Sequence, residues 1–146
     1  MVYQAEKEDI PAAAALAACL FEGSQAEELS QELEALLDSG EGAVFLLPEE
    51  DGLAGFAQCQ LRRDYVEGTE SSPVGYLEGI FVHPEHRGKG YAKALLAACE
   101  QWAREQGCTE FASDCELHNG GSLAFHLKAG FREANRIICF TKWLSP

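Results

Sequence analysis

Two acidic residues and one glycine-rich turn carry the chemistry available to this chain. Glu78 interrupts the apolar run Gly75-Tyr76-Leu77-Glu78-Gly79-Ile80-Phe81-Val82, and Asp114 closes the stretch Thr109 to Ser113. A carboxylate in a strand expected to be central is either an edge-facing or ion-paired acid or a working group. Gly79 directly after it marks a bulge or a close ligand approach, and a bulge would turn backbone N–H groups outward. Where two strands splay, Glu78 and Asp114 converge; burial and mutual repulsion would then raise at least one pKa toward the working pH of a general base. Beyond the first strand, Glu85-His86-Arg87-Gly88-Lys89-Gly90-Tyr91-Ala92 leads into an apolar-periodic helix. Such a turn aims unpaired N–H groups at one point, the helix dipole adds positive potential, and Arg87 and Lys89 add charge. That describes a pyrophosphate cradle, although glycines also close tight turns with no ligand.

These groups need a scaffold, and the hydrophobic pattern supplies one. Met1 to Glu6 can start a strand, and Ile10 to Phe21 a first helix entered through Asp9 and Pro11. Gln25 to Leu37 places Leu29, Leu33, Leu36 and Leu37 at helical spacing with acids on the other face. Ala43 to Leu47 and Leu53 to Leu61 read as a hairpin around Pro48-Glu49-Glu50-Asp51-Gly52. After a polar connection from Arg62 to Pro73 comes the strand Val74 to Val82. The helix beyond the glycine turn collects Leu95, Leu96, Cys99, Trp102 and Ala103 on one face and stops at Gly107. A short strand (Thr109 to Ser113), a short helix (Ser122 to Lys128) and a final strand (Arg136 to Trp143) complete the order. No linker or repeat divides it, so one α/β domain over residues 1–146 is expected, a mostly antiparallel central sheet with helices on both faces.

The spacing of the turn separates it from other phosphate loops: it contains neither Gly-x-x-x-x-Gly-Lys-Ser/Thr nor Gly-x-Gly-x-x-Gly. Arg87-x-x-Gly90-x-Ala92 instead resembles the Arg/Gln-x-x-Gly-x-Gly/Ala turn of the Gcn5-related N-acetyltransferases. Asn119, Ala124, His126, Gly130 and Phe131 resemble that family's second signature, in the right order. Together with Tyr76 to Val82, Phe111-Ala112-Ser113-Asp114 and Ala124-Phe125-His126, the chain looks like the aminoglycoside 6'-N-acetyltransferases over roughly residues 55–143.

The resemblance implies acetyl-CoA as cosubstrate and a sheet with splayed strands. It assigns cofactor binding to Ile80, Phe81 and Val82 for the pantetheine arm, to Arg87, Gly88, Lys89, Gly90, Tyr91 and Ala92 for the pyrophosphate, and to Asn119. It places Glu78 and Asp114 against the amino groups of the drug, either serving as base. Tyr65 falls in a loop lining the acceptor pocket, and Phe21 near an aromatic that packs on the sugar. Asn135 stands where some relatives have an acid, a departure that weakens one drug contact. His126 occupies the place of a tyrosine proposed to protonate the leaving thiolate, or is a packed helix histidine. Direct attack of the amine in a ternary complex is the implied route.

Charge agrees with a cationic acceptor. Of the formal net charge of −13, residues 1–60 contribute −12, from 13 acids against Lys7 alone. Such a field repels nucleic acid and anionic lipid and concentrates small cations; taken alone, it reads as a solvated helix face that aids solubility. The six cysteines show no C-x-x-C or zinc spacing, no metal is expected, and Cys99 and Cys139 read as core residues, consistent with a reducing cytoplasm. The apolar Ile10 to Phe21 follows Glu6, Glu8 and Asp9 rather than a basic region and is too short to span a bilayer, so no membrane role is expected. Relatives are often dimers, and Ile137-Ile138-Cys139-Phe140 reads as an interface or as a core strand. The competing functions are acetylation of a polyamine or a protein or peptide amine, and a catalytically silent acyl-CoA-binding module.

Overall fold

The computed structural model describes residues 1–21 and 23–146. Its elements follow the hydrophobic pattern closely: β1 (Tyr3–Gln4), α1 (Ile10–Leu20), α2 (Ala26–Ser39), β2 (Gly42–Glu49), β3 (Gly52–Arg62), β4 (Val74–Val82), α3 (Tyr91–Glu105), β5 (Phe111–Ser113) and α4 (Gly120–Lys128). The chain forms two units, residues 1–114 and 115–146.

The first unit is a five-stranded mixed sheet in the order β1-β2-β3-β4-β5. Strands β1 to β4 run antiparallel as a meander, and β5 joins β4 in parallel. The parallel pairing covers only Gly75 to Leu77 against Phe111 to Ser113. Glu78 and Asp114 each follow the last residue paired in that parallel ladder, which is the expected splay.

Helices cover both faces of this sheet. Ile10, Ala13, Ala14, Leu16 and Ala17 of α1 and Leu29 and Leu33 of α2 pack with Val44, Leu46 and Phe56. Because side chains alternate across a strand, the opposite face belongs to α3, where a Cβ added at Gly55 would lie 3.2 Å from Leu95 Cδ1. Phe56, Leu46, Leu95, Val44, Val74, Cys59 and Cys99 are the largest side chains withdrawn entirely from water. Each large aliphatic or aromatic side chain so buried contributes about 1.5–3 kcal/mol, so the sheet is well anchored beneath its reactive edge. No described helix is long and apolar enough to cross a membrane.

The second unit corrects the sequence reading. Helix α4 forms as expected, but residues 131–146 adopt neither helix nor strand. Their alternating apolar residues suit a strand, yet among the described residues no ladder receives them. Ile137, Ile138, Phe140, Trp143 and Leu144 are therefore 74–98% exposed. Cys139, expected in the core, is exposed with them.

Candidate active site

The bulge anticipated from Gly79 is present. In the β3–β4 ladder Gln58 pairs with Gly79 and Cys59 with Leu77, so Glu78 is the extra residue on β4. Freed from the ladder, its side chain lines a cleft of about 240 Å³ with Phe21, Ser24, Leu29, Glu32, Leu33 and Gln58. A Cβ at Gly79 would approach Phe21 Cζ to 2.9 Å and Leu20 Cδ2 to 3.0 Å, so the missing side chain lets the end of α1 close over the strand.

The carboxylate is ion-paired. Arg62, the last residue of β3, donates from Nε to Glu78 Oε2 at 3.0 Å and from Nη2 to Oε1 at 2.9 Å. This two-pronged geometry is the strongest an arginine makes with a carboxylate. The same guanidinium lies over the Tyr76 ring, its Cζ 3.5 Å from the ring centre, and the Tyr76 hydroxyl donates to Asp114 Oδ2. One connected set thus links both carboxylates. Burial raises the Glu78 pKa; the hydrogen bonds and charge of Arg62 oppose that rise, and the charge of Asp114 adds to it. Burial and the Asp114 hydrogen bond push the Tyr76 phenol upward, which keeps it a donor and removes it as a base.

Of the residues singled out from the sequence, Glu78 and Phe21 share the cleft and Asp114 is tied to Tyr76; Arg62, Tyr76, Glu32 and Gln58, not singled out there, join them. Tyr76 had a signal, since it stands two residues before Glu78 on a strand with period two. Tyr65 is 77% exposed and lines a second cleft of about 370 Å³ with Gln60 to Asp64, Arg62 among them.

Past β4, the turn has the conformation its glycines imply. Gly88 and Gly90 both have φ +82°, where other residues are strained. A Cβ at either would meet nothing within 4 Å, so the space before the turn admits a bulky anion. Gly90 precedes α3, whose first N–H groups have no acceptor within the helix. Arg87 Nε donates to the Val82 carbonyl at 2.8 Å, tying the turn to the end of β4. Lys89 Nζ sits 5.7 Å from the Tyr91 ring centre, and the Tyr91 hydroxyl donates to Glu49, so these side chains brace the cradle while its main chain faces the open space.

In the second unit, Asn119 Oδ1 caps α4 by accepting from Ser122 N at 3.1 Å. His126 Nδ1 lies 2.7 Å from the Ser122 carbonyl; that oxygen only accepts, so Nδ1 carries the proton. The ring packs against Phe125 and Phe131. Asn135 Oδ1 accepts from Arg136 N at 2.8 Å. Nucleophilic cysteine is not favoured: hydrogen bonding to Cys59 and burial push the Cys99 thiol up, and burial does the same to Cys108. No cluster that could hold a metal occurs among the described residues.

A splayed mixed sheet, an acid on a bulge and a glycine turn entering a helix define an acyl-transferring class of protein. The acetyltransferase (GNAT) family model matches residues 10–131, and the chain belongs to that family. It is 47% identical over 122 residues to an aminoglycoside N(6')-acetyltransferase type 1 of Stenotrophomonas maltophilia, covering 83% of this chain and 80% of that protein. A protein so named from Serratia marcescens is 36% identical over 145 residues, 99% of each. Among solved structures, AAC(6')-Iy in complex with the bisubstrate analogue CoA-S-monomethyl-acetylneamine superimposes with a TM-score of 0.93 at 35% identity, covering 99% of this chain and 98% of that one.

Proposed function

We propose that this protein transfers the acetyl group of acetyl-CoA to the 6'-amine of aminoglycoside antibiotics, by direct attack in a ternary complex. The observation that carries the reading is the pairing of two carboxylates, Glu78 and Asp114, through Arg62 and Tyr76 at a cleft that Glu32 also lines. A cationic acceptor needs such a wall, and the −12 of the first 60 residues steers polycations toward the protein. Relatives bearing the aminoglycoside name supply independent support.

Acetyl-CoA, when bound, supplies the thioester that is attacked. The open turn from Gly88 to Ala92 would hold its pyrophosphate, and those main-chain groups of Ile80, Phe81 and Val82 that the β3 ladder leaves unpaired its pantetheine arm; the Val82 carbonyl already accepts from Arg87. Glu78 or Asp114 takes the proton that the ammonium must lose before its nitrogen can attack. Phe21 and Tyr65 offer aromatic surface to the sugar rings. We assign His126, Asn119 and Asn135 supporting roles as thiolate acid, cofactor contact and substrate contact. Residues 1–146 act as one domain, a copy pairs with a second copy, and six unpaired cysteines suit a reducing cytoplasm.

The test is incubation with acetyl-CoA and a panel of aminoglycosides, polyamines and peptides, following thiol release and product mass. Acetylation of kanamycin or tobramycin, but not of analogues without the 6'-amine, is the expected result. Tight coenzyme A binding with no turnover of any amine would instead make the protein a binding module.

A further inference from the structure

We propose that Arg62 is a placeholder cation: it occupies the Glu78 carboxylate in the acceptor-free enzyme and yields that position to an ammonium group of the acceptor. The inference rests on the aminoglycoside reading and deepens it by naming what the acceptor displaces.

The geometry supports an exchange rather than a permanent pair. Arg62 uses both prongs on Glu78, yet its side chain remains 38% exposed while that of Glu78 is only 18% exposed. The acid is therefore the more deeply seated partner, and the cation comes from the strand end that also borders the cleft beside Tyr65. Arg62 thus has a second place to go. The Tyr76 face beneath the guanidinium is flat and equally suited to any departing or arriving cation.

Glu78 needs such a partner. The groups facing it are Arg62 from β3, Tyr76 from β4, Asp114 at the end of β5, and Glu32 of α2 across the cleft. Arg62 is the single cation in that set; the remaining charges are acids, which disfavour ionisation. Burial works in the same direction. Without a cation the carboxyl would titrate higher still, and less of it would be ionised to serve as a base. A cation held permanently on both oxygens would leave only their remaining lone pairs to an arriving ammonium. A resident guanidinium on a flexible stem satisfies both requirements in turn.

Arg62 is a positioning residue by this account, and pH profiles test it. The acid limb of kcat/KM reports the free enzyme and that of kcat the bound complex. In Arg62→Met the kcat/KM limb for tobramycin should move upward by about one to three pH units, while the kcat limb stays near that of the parent. Arg62→Lys, which retains the charge, should keep both limbs close to the parent. Equal movement of both limbs would show that Arg62 remains on Glu78 in the complex; movement of neither would leave it a purely structural residue. Either result overturns the proposal. Carbon NMR of labelled glutamate reads the Glu78 titration directly, even in a protein without turnover: the free Arg62→Met protein should titrate higher, and added tobramycin or spermine should bring it back down. An unmoved titration overturns the placeholder role, whereas absent turnover by the parent protein overturns only the aminoglycoside reading.

Discussion

Glu78 is held between influences of opposite sign. Burial and the Asp114 charge raise its pKa, and Arg62 pulls it down, with burial the largest of these effects. The net position is above the ordinary carboxylate value, so turnover that depends on the ionised form is lost as pH falls through that raised value and is complete above it. Glu78→Gln and Asp114→Asn should each lower kcat/KM by about 10²- to 10⁴-fold, the usual contribution of a general base. Coenzyme A affinity, measured by calorimetry, should stay within about twofold, because neither side chain belongs to the turn. Comparable loss of affinity and turnover would show these acids to be structural. At this scale the sequence was informative about single groups and poor about their alliances. Glu78 and Asp114 stood out because ionisable groups in apolar runs must be accounted for. Arg62 sat in what read as a polar connection, and only the β3–β4 register brings its long side chain to the bulge.

The elements were legible where local pattern and tertiary packing agree. Leu29 and Leu33 of α2, and the apolar face of α3 from Leu95 to Ala103, are buried as their spacing required. The limits of β4 match because flanking Pro73 and Pro84 interrupt the pattern on both sides. The C-terminal stretch failed for the converse reason: Ile137 to Phe140 has strand propensity, but a strand exists only with a neighbour to bond. Gly79 is the element-level hinge of the site, since its missing side chain is what admits Phe21 and Leu20. Gly79→Ala should cost about 1–3 kcal/mol in overpacking and raise KM for the acceptor by displacing Phe21, while KM for acetyl-CoA changes less. Steady-state kinetics with thermal unfolding checks both; unchanged acceptor KM would remove Phe21 from the binding surface.

The whole molecule combines an acid-rich first half with an apolar tail that meets water. Exposure of Ile138 at 79%, Phe140 at 86% and Trp143 at 98% is a patch that proteins usually cover with a partner. The proposed pairing of copies places these residues in the shared surface. Analytical ultracentrifugation should find the parent near twice 15.9 kDa and the double variant Ile138→Asp, Phe140→Asp near the single-chain mass. A parent that sediments as one chain would refute the pairing.

One consequence of the bulge reaches beyond the acid it carries. Because side chains alternate strictly along a strand, an extra residue changes which parity faces which side. Before Glu78 the odd residues look toward α3, as Gly75 does toward Ala103; after it the odd residues look toward α1, as Gly79 does toward Phe21. The same strand therefore keeps two opposite frames, joined at a single position. Gain or loss of one residue between Val74 and Glu78 would exchange the surroundings of Tyr76 and Leu77, taking the phenol away from Val66, Val74 and Asp114 and setting a leucine in its place. Segment length here is as constrained as residue identity.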